Sequence, residues 1–171
     1  MAKTRLRAIF TKEPGPSDSV ECLRADGSRT KASMPRQRIM PHDLFHFVVE
    51  STLAMPLGLY GHVALGYELR FDSELNPSRI DGYKSVELAQ SESLVECLQA
   101  ERWGGTVPDI HWMEILVLTC STRGVIPPVL TREQLANLRN AIEEMSQKWE
   151  VLPVGGSIEI GFHPNTAEPI R

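Results

Sequence analysis

One run, Met40-Pro41-His42-Asp43-Leu44-Phe45-His46-Phe47-Val48-Val49-Glu50, constrains the fold more than any other, because prolines at 41 and 56 bracket a segment with helical spacing. Proline is tolerated at the first helical position, where its missing N–H would have no partner in any case. A helix is therefore expected over about residues 41–55. Successive residues advance about 100° around an α-helix, so His42, His46 and Glu50, four apart, drift only about 80° and share one face. Phe45, Val48, Val49 and Leu53 supply the stripe to be buried.

The remaining segments supply a sheet and further helices. Arg5-Leu6-Arg7-Ala8-Ile9-Phe10 alternates with period two, placing Leu6, Ala8 and Phe10 on the inner face of a half-buried strand. Pro14-Gly15-Pro16-Ser17 breaks it. Ser19 to Arg24 and Arg29 to Met34, joined through Ala25-Asp26-Gly27-Ser28, read as a hairpin, because Asp-Gly readily takes the positive φ angles of a tight turn. At the far end Gly155-Gly156 leads into Ser157 to Phe162, whose alternation points Ile158, Ile160 and Phe162 inward as a closing strand of the same sheet.

Between these strands, Leu88 to Trp103 is helical, with Leu94, Val95 and Leu98 inward and Glu92, Glu96 and Glu101 mostly outward, until Gly104-Gly105 ends it. Thr106-Val107-Pro108-Asp109 resembles a capped helix start. Ile110, Met113, Val117 and Cys120 then keep helical spacing to Gly124, although a strand through Ile115 to Thr119 fits the same residues. Thr131-Arg132-Glu133-Gln134 is a capping box, and Leu135, Leu138, Ile142, Met145 and Trp149 follow on one stripe, the clearest helix in the chain. Glycines at 58, 61 and 66 make Leu57 to Tyr67 a tight, buried connection but leave helix and strand open. Asp72 to Ser85, rich in turn residues, is the expected mobile loop. The sum is a single α+β domain over 1–171, an antiparallel sheet of about four strands, three N-terminal and one C-terminal, covered by about four helices.

A chain of 171 residues is long enough to bury a core without disulfides or a structural metal. Its apolar runs stay short of the roughly 20 residues a membrane span needs, so a soluble protein is expected. The first residues lead into alternation rather than an apolar signal region, so cytoplasm is the expected location. Cys22, Cys97 and Cys120 are odd in number and lack a Cys-x-x-Cys, which points to reduced, buried thiols rather than a disulfide framework or a thiolate zinc site. The net charge of −4 is uneven: nine Lys/Arg face four Asp/Glu in residues 1–40, and nine face eighteen thereafter.

The chemistry is concentrated on the histidine face. Four residues of α-helix rise about 6 Å, a span that two imidazoles bridge to one divalent ion, so His42 and His46 are a candidate pair for zinc or another divalent metal. Glu50 lies about 12 Å along the axis from His42, too far for easy coordination of the same ion and better placed to orient His46 or bind the ligand. In H-E-x-x-H metalloproteases the residue after the first histidine is the glutamate that activates water. Here it is the shorter Asp43, which counts against protease chemistry. A third ligand must come from elsewhere, with His62, His111 and His163 as candidates. The same residues also fit a reading without metal, in which Asp43 complements the helix N-terminus, Glu50 pairs with His46 and His42 bonds a neighbouring backbone group.

Other catalytic patterns are thin. G-x-S-x-G, G-x-G-x-x-G and Walker sequences are absent. Glu92 and Glu96 share a helix face as paired carboxylates do, but that spacing fits a solvated surface better. Trp103, Trp112 and Trp149 join apolar stripes and are expected in the core. Two functional classes follow. One is a metal-dependent hydrolase; the other is a non-enzymatic module whose sheet face, with Arg5, Arg7, Arg29 and Lys31 and then Arg36 and Arg38, meets an anionic or protein partner. Nucleic acid is disfavoured because that face has no interleaved aromatic rings, and Glu21 and Glu159 are placed to neutralise it.

Arg24-Ala25-Asp26-Gly27-Ser28-Arg29, the run from His42 to Glu50, and Gly58-Leu59-Tyr60-Gly61 followed by Ala64 and Gly66 resemble uncharacterised bacterial proteins with an H-D-L-x-H-F-x-V-E signature. The resemblance covers roughly residues 20–66 and departs from the signature proteins at Leu59-Tyr60, where they carry an aromatic pair. It implies a structural unit and carries no activity with it.

Overall fold

Four strands, β1 (Leu6–Thr11), β2 (Ser17–Arg24), β3 (Arg29–Pro35) and β4 (Ser157–Phe162), form one antiparallel sheet in the order β3-β2-β1-β4. The computed structural model describes residues 6–69 and 85–163, so Arg5 and the expected loop from Asp72, except Ser85, lie outside the described residues. Pairing Phe10 with Val20 and with Ile158 keeps the inward residues of three strands in one row. Leu6, Ala8, Phe10, Val20, Cys22, Met34 and Phe162 are all buried there, as the period-two pattern requires. The free thiols of Cys22, Cys97 and Cys120 are buried, and burial pushes that of Cys22 up to about 12.

Five helices are present among the described residues: α1 (His42–Thr52), α2 (Leu59–Ala64), α3 (Val86–Gly104), α4 (Asp109–Thr122) and α5 (Arg132–Glu150). The α+β class and the sheet are as expected; the fifth helix is α2, inside the stretch whose periodicity did not separate helix from strand. Aromatic rings join the layers. Phe47 of α1 meets Phe10 at 5.7 Å, Phe162 at 5.8 Å and Tyr60 of α2 at 4.9 Å between centroids, all edge-on. Helices α3 and α5 pack on α1, and α4 packs on α3. In consequence α1 is enclosed, and every residue from Asp43 to Glu50 is buried.

The capping box of α5 forms in both directions, Gln134 N–H donating to Thr131 Oγ1 at 3.0 Å and Thr131 N–H to Gln134 Oε1 at 2.8 Å. Leu135, Leu138, Ile142 and Trp149 are buried along it. Three expectations are corrected. Helix α4 buries Trp112, Leu116 and Cys120, whereas Ile110 and Val117 face solvent. Its apolar residues surround most of the helix, so spacing fits more than one stripe, and packing on α3 selects the one carrying the largest side chain. Trp103, in the last turn of α3, is exposed rather than in the core. Glu101 is turned in to Arg139, at 2.7 Å, and is only 10% exposed. No described helix is long and apolar enough to cross a membrane.

Candidate metal centre

Enclosing α1 buries polar groups along with its apolar stripe, and a buried polar group is costly unless it is hydrogen-bonded. His46 and Glu50 are fully buried, and their partners come from α2 and α3. Glu50 accepts hydrogen bonds from the backbone N–H groups of Leu59 and Tyr60, both at 2.8 Å, and from the Ser91 hydroxyl at 2.7 Å. His46 Nδ1 lies 3.1 Å from Glu50 Oε1 and 2.9 Å from Ser91 Oγ. Because the Ser91 proton is directed to Glu50, His46 Nδ1 must itself be the donor, and in the neutral ring Nε2 then carries a lone pair.

His42 is set the same way. Its Nδ1 is 2.9 Å from Gln99 Oε1, an acceptor, while Gln99 Nε2 points to Gln37 Oε1 at 3.4 Å. His42 Nε2 is left facing His46 Nε2 at 3.2 Å. The third group is Glu92 of α3, with Oε1 3.2 Å from His46 Nε2 and Oε2 3.3 Å from His42 Nε2. Three acceptors thus converge on one point. Among the described residues, His42, His46 and Glu92 are the group with the spacing of metal ligands.

Such a cluster is stable only with a positive charge between its members. A proton is one solution: burial opposes the imidazolium, but the Glu92 charge and hydrogen bonds to Glu50 and Glu92 outweigh it and push His46 up to about 9. Burial likewise opposes the Glu92 carboxylate, and the two histidines nonetheless hold it well below the usual carboxylate range. A divalent cation is the other solution. A serine-nucleophile alternative does not fit, since Ser91 is completely buried and shares Nδ1 of His46 with Glu50.

The fold brings His42 and His46 together as the helical spacing anticipates, and Glu50 sits behind His46. Asp43 is buried in the first turn of α1, outside the converging trio. The third member of the cluster is Glu92 and none of the other histidines: His62 is buried with Nδ1 donating to Gly58 O at 2.6 Å, and His111 and His163 are exposed. Glu92 is therefore not the solvated surface residue expected. The row Glu92, Val95, Gln99, at i, i+3 and i+7, flanks the buried stripe, which marks Glu92 as an edge position without showing what it meets. On the open sheet face, Arg7 pairs with Glu159 and Arg29 with Glu21, each at 3.2 Å, and Lys31 stands opposite Glu21. Arg36 is paired with the buried Asp18 at 2.6 Å, and Arg38 is exposed. Compared with protein-family models, curated proteins and solved structures, the chain matches none of them.

Proposed function

We propose that the protein binds one divalent metal ion, zinc or an ion of similar preference, between His42 Nε2, His46 Nε2 and the Glu92 carboxylate. The observation that carries this reading is the convergence of three acceptors at 3.2–3.3 Å while both Nδ1 atoms are committed elsewhere. At metal–ligand bonds of about 2.0–2.1 Å, a tetrahedral centre holds its ligands about 3.3–3.4 Å apart, which these separations approach without rearrangement. Two imidazoles and one carboxylate suit zinc better than magnesium or calcium, which favour all-oxygen shells.

Three protein ligands leave one tetrahedral position for water or substrate, the arrangement of catalytic rather than structural zinc sites. The side chains of His42 and Glu92 are 21% and 31% exposed, whereas His46 is closed off, so access is from the His42 and Glu92 side. A metal there lowers the pKa of bound water and polarises a substrate oxygen. Hydrolysis of a small-molecule substrate is the activity proposed. Calorimetric titration of untagged protein should give one zinc per chain and no comparable magnesium uptake. Failure to take up stoichiometric zinc would overturn the reading.

A further inference from the structure

We infer that Glu50 couples the metal centre to α2, so that metal uptake and the docking of residues 57–66 strengthen one another; this rests on the metal reading above. The connection is a single buried carboxylate. Its Oε1 receives His46 Nδ1–H together with the N–H of Leu59, and its Oε2 receives the N–H of Tyr60, the first two N–H groups of α2. Metal on Nε2 makes the imidazole a stronger donor at Nδ1, and a carboxylate at Nδ1 makes Nε2 a better ligand. Two fixed amides of α2 hold that carboxylate in its orientation together with the Ser91 hydroxyl, so the position of α2 contributes to the aim of His46.

The backbone around Gly58 is shaped for this contact. Gly58 has φ −75° and ψ −167°, angles open to any residue, so its glycine is not required by conformation. A Cβ there would lie 2.4 Å from Glu50 Cδ and within 2.6 and 2.7 Å of its two oxygens. The missing side chain is what lets the carboxylate seat against α2. With six residues α2 is too short to be stable by itself. It is held at its start by Glu50 and at its end by Arg24, whose Nε donates to Val63 O at 2.6 Å. Between these polar contacts Leu59, Tyr60 and Val63 are buried against the core, so what a ligand on α1 can bias is the docking of the whole segment. By linkage, the factor by which zinc favours docking of α2 equals the factor by which docking favours zinc.

Zinc affinity of wild type and Gly58→Ala tests this, together with amide exchange at Leu59 and Tyr60 in wild type with and without saturating zinc. Gly58→Ala touches no ligand, and it should bind zinc about 10–100-fold more weakly, the range for loss of an outer-shell partner. Exchange at Leu59 and Tyr60 should slow about tenfold or more with zinc, by the same linkage. Zinc binding by wild type with equal affinity in folded Gly58→Ala would overturn the coupling alone. Absence of zinc binding by wild type would overturn the metal reading and the coupling with it. Should Gly58→Ala not fold, exchange in wild type decides, and unchanged rates at Leu59 and Tyr60 overturn the coupling.

Discussion

His42 Nε2 stands 3.2 Å from His46 Nε2, one turn along α1, and neither neutral ring has a proton to offer the other while its Nδ1 donates elsewhere. The Glu92 carboxylate adds a third acceptor rather than a donor. With both rings neutral, a buried acceptor facing another acceptor costs free energy on both sides, so the cluster calls for either a proton on His46 or a cation between its members.

Variants should therefore separate ligands from supports. His46→Ala and Glu92→Ala each remove a proposed metal ligand and should lower zinc affinity by more than the roughly 10–100-fold that loss of an outer-shell partner costs. Gln99→Ala removes only the acceptor that orients His42 and should fall within that range. Titration calorimetry on folded variants gives the order. Glu92→Ala binding zinc as tightly as wild type would remove the carboxylate from the site.

The pH dependence has opposite signs with and without metal. His46 is raised from 6.5 to about 9 in the folded protein, so without metal its contribution to stability is fully present below about 6.5 and is lost as pH rises through about 9. Zinc requires Nε2 unprotonated, so its uptake displaces that proton and strengthens over the same interval. In chelator, the Tm of wild type should fall between pH 6.5 and 9 relative to that of His46→Gln. With zinc in excess, the Tm gain should grow across that window. Parallel curves for the two proteins in chelator would show that His46 does not titrate as described.

Local signals made much of this fold legible before the tertiary structure was considered. Thr131 and Gln134 lie three apart and can only cap their own helix, and the alternation of Leu6, Ala8 and Phe10 records one buried sheet face directly. His42 and His46 were legible for the same reason, being neighbours on one helix. Glu92 was not, because periodicity shows which positions of α3 can be inward but not that an edge carboxylate meets histidines from another helix. Helix α2 escaped because its ends are satisfied by Glu50 and Arg24, from α1 and β2, rather than by its own sequence. The inner face of α4 was ambiguous because Ile110, Ile115, Val117 and Leu118 are apolar yet exposed.

The end of α1 carries a conformational cost that one substitution should relieve. Leu53 closes the helix, Ala54 follows at φ 51°, and Met55 N–H returns to Glu50 O at 2.9 Å, the pattern of a left-handed helix end normally occupied by glycine. An L-residue in that region costs roughly 1–2 kcal/mol, part of which is offset by the greater freedom of glycine in the unfolded chain. Ala54→Gly should stabilise the protein by about 0.5–1 kcal/mol in denaturant unfolding. Destabilisation would mean that the Ala54 methyl contributes packing that outweighs the backbone strain.

Arg24 bears on the opposite end of α2. Only 6% exposed, it donates from Nε to Val63 O and from an Nη to Tyr67 O, both at 2.6 Å, and it also reaches Ser28 and Glu68. These donations leave in different fixed directions from one planar guanidinium, one to the last turn of α2 and one to the residues just after it. Lysine keeps the charge but concentrates its donors on one atom at the end of a flexible stem, so it cannot serve both carbonyls from the same seat. Arg24→Lys should therefore cost about 1–3 kcal/mol, the penalty for leaving a buried acceptor without its partner, despite conserving charge. Urea unfolding measures the loss. The accompanying sign is local: amides of α2 should exchange faster in Arg24→Lys than in wild type, while the capping-box helix α5 keeps the protection that global stability allows. A variant as stable as wild type, with unchanged exchange in α2, would show that the guanidinium geometry is incidental and that charge alone holds this end of the helix.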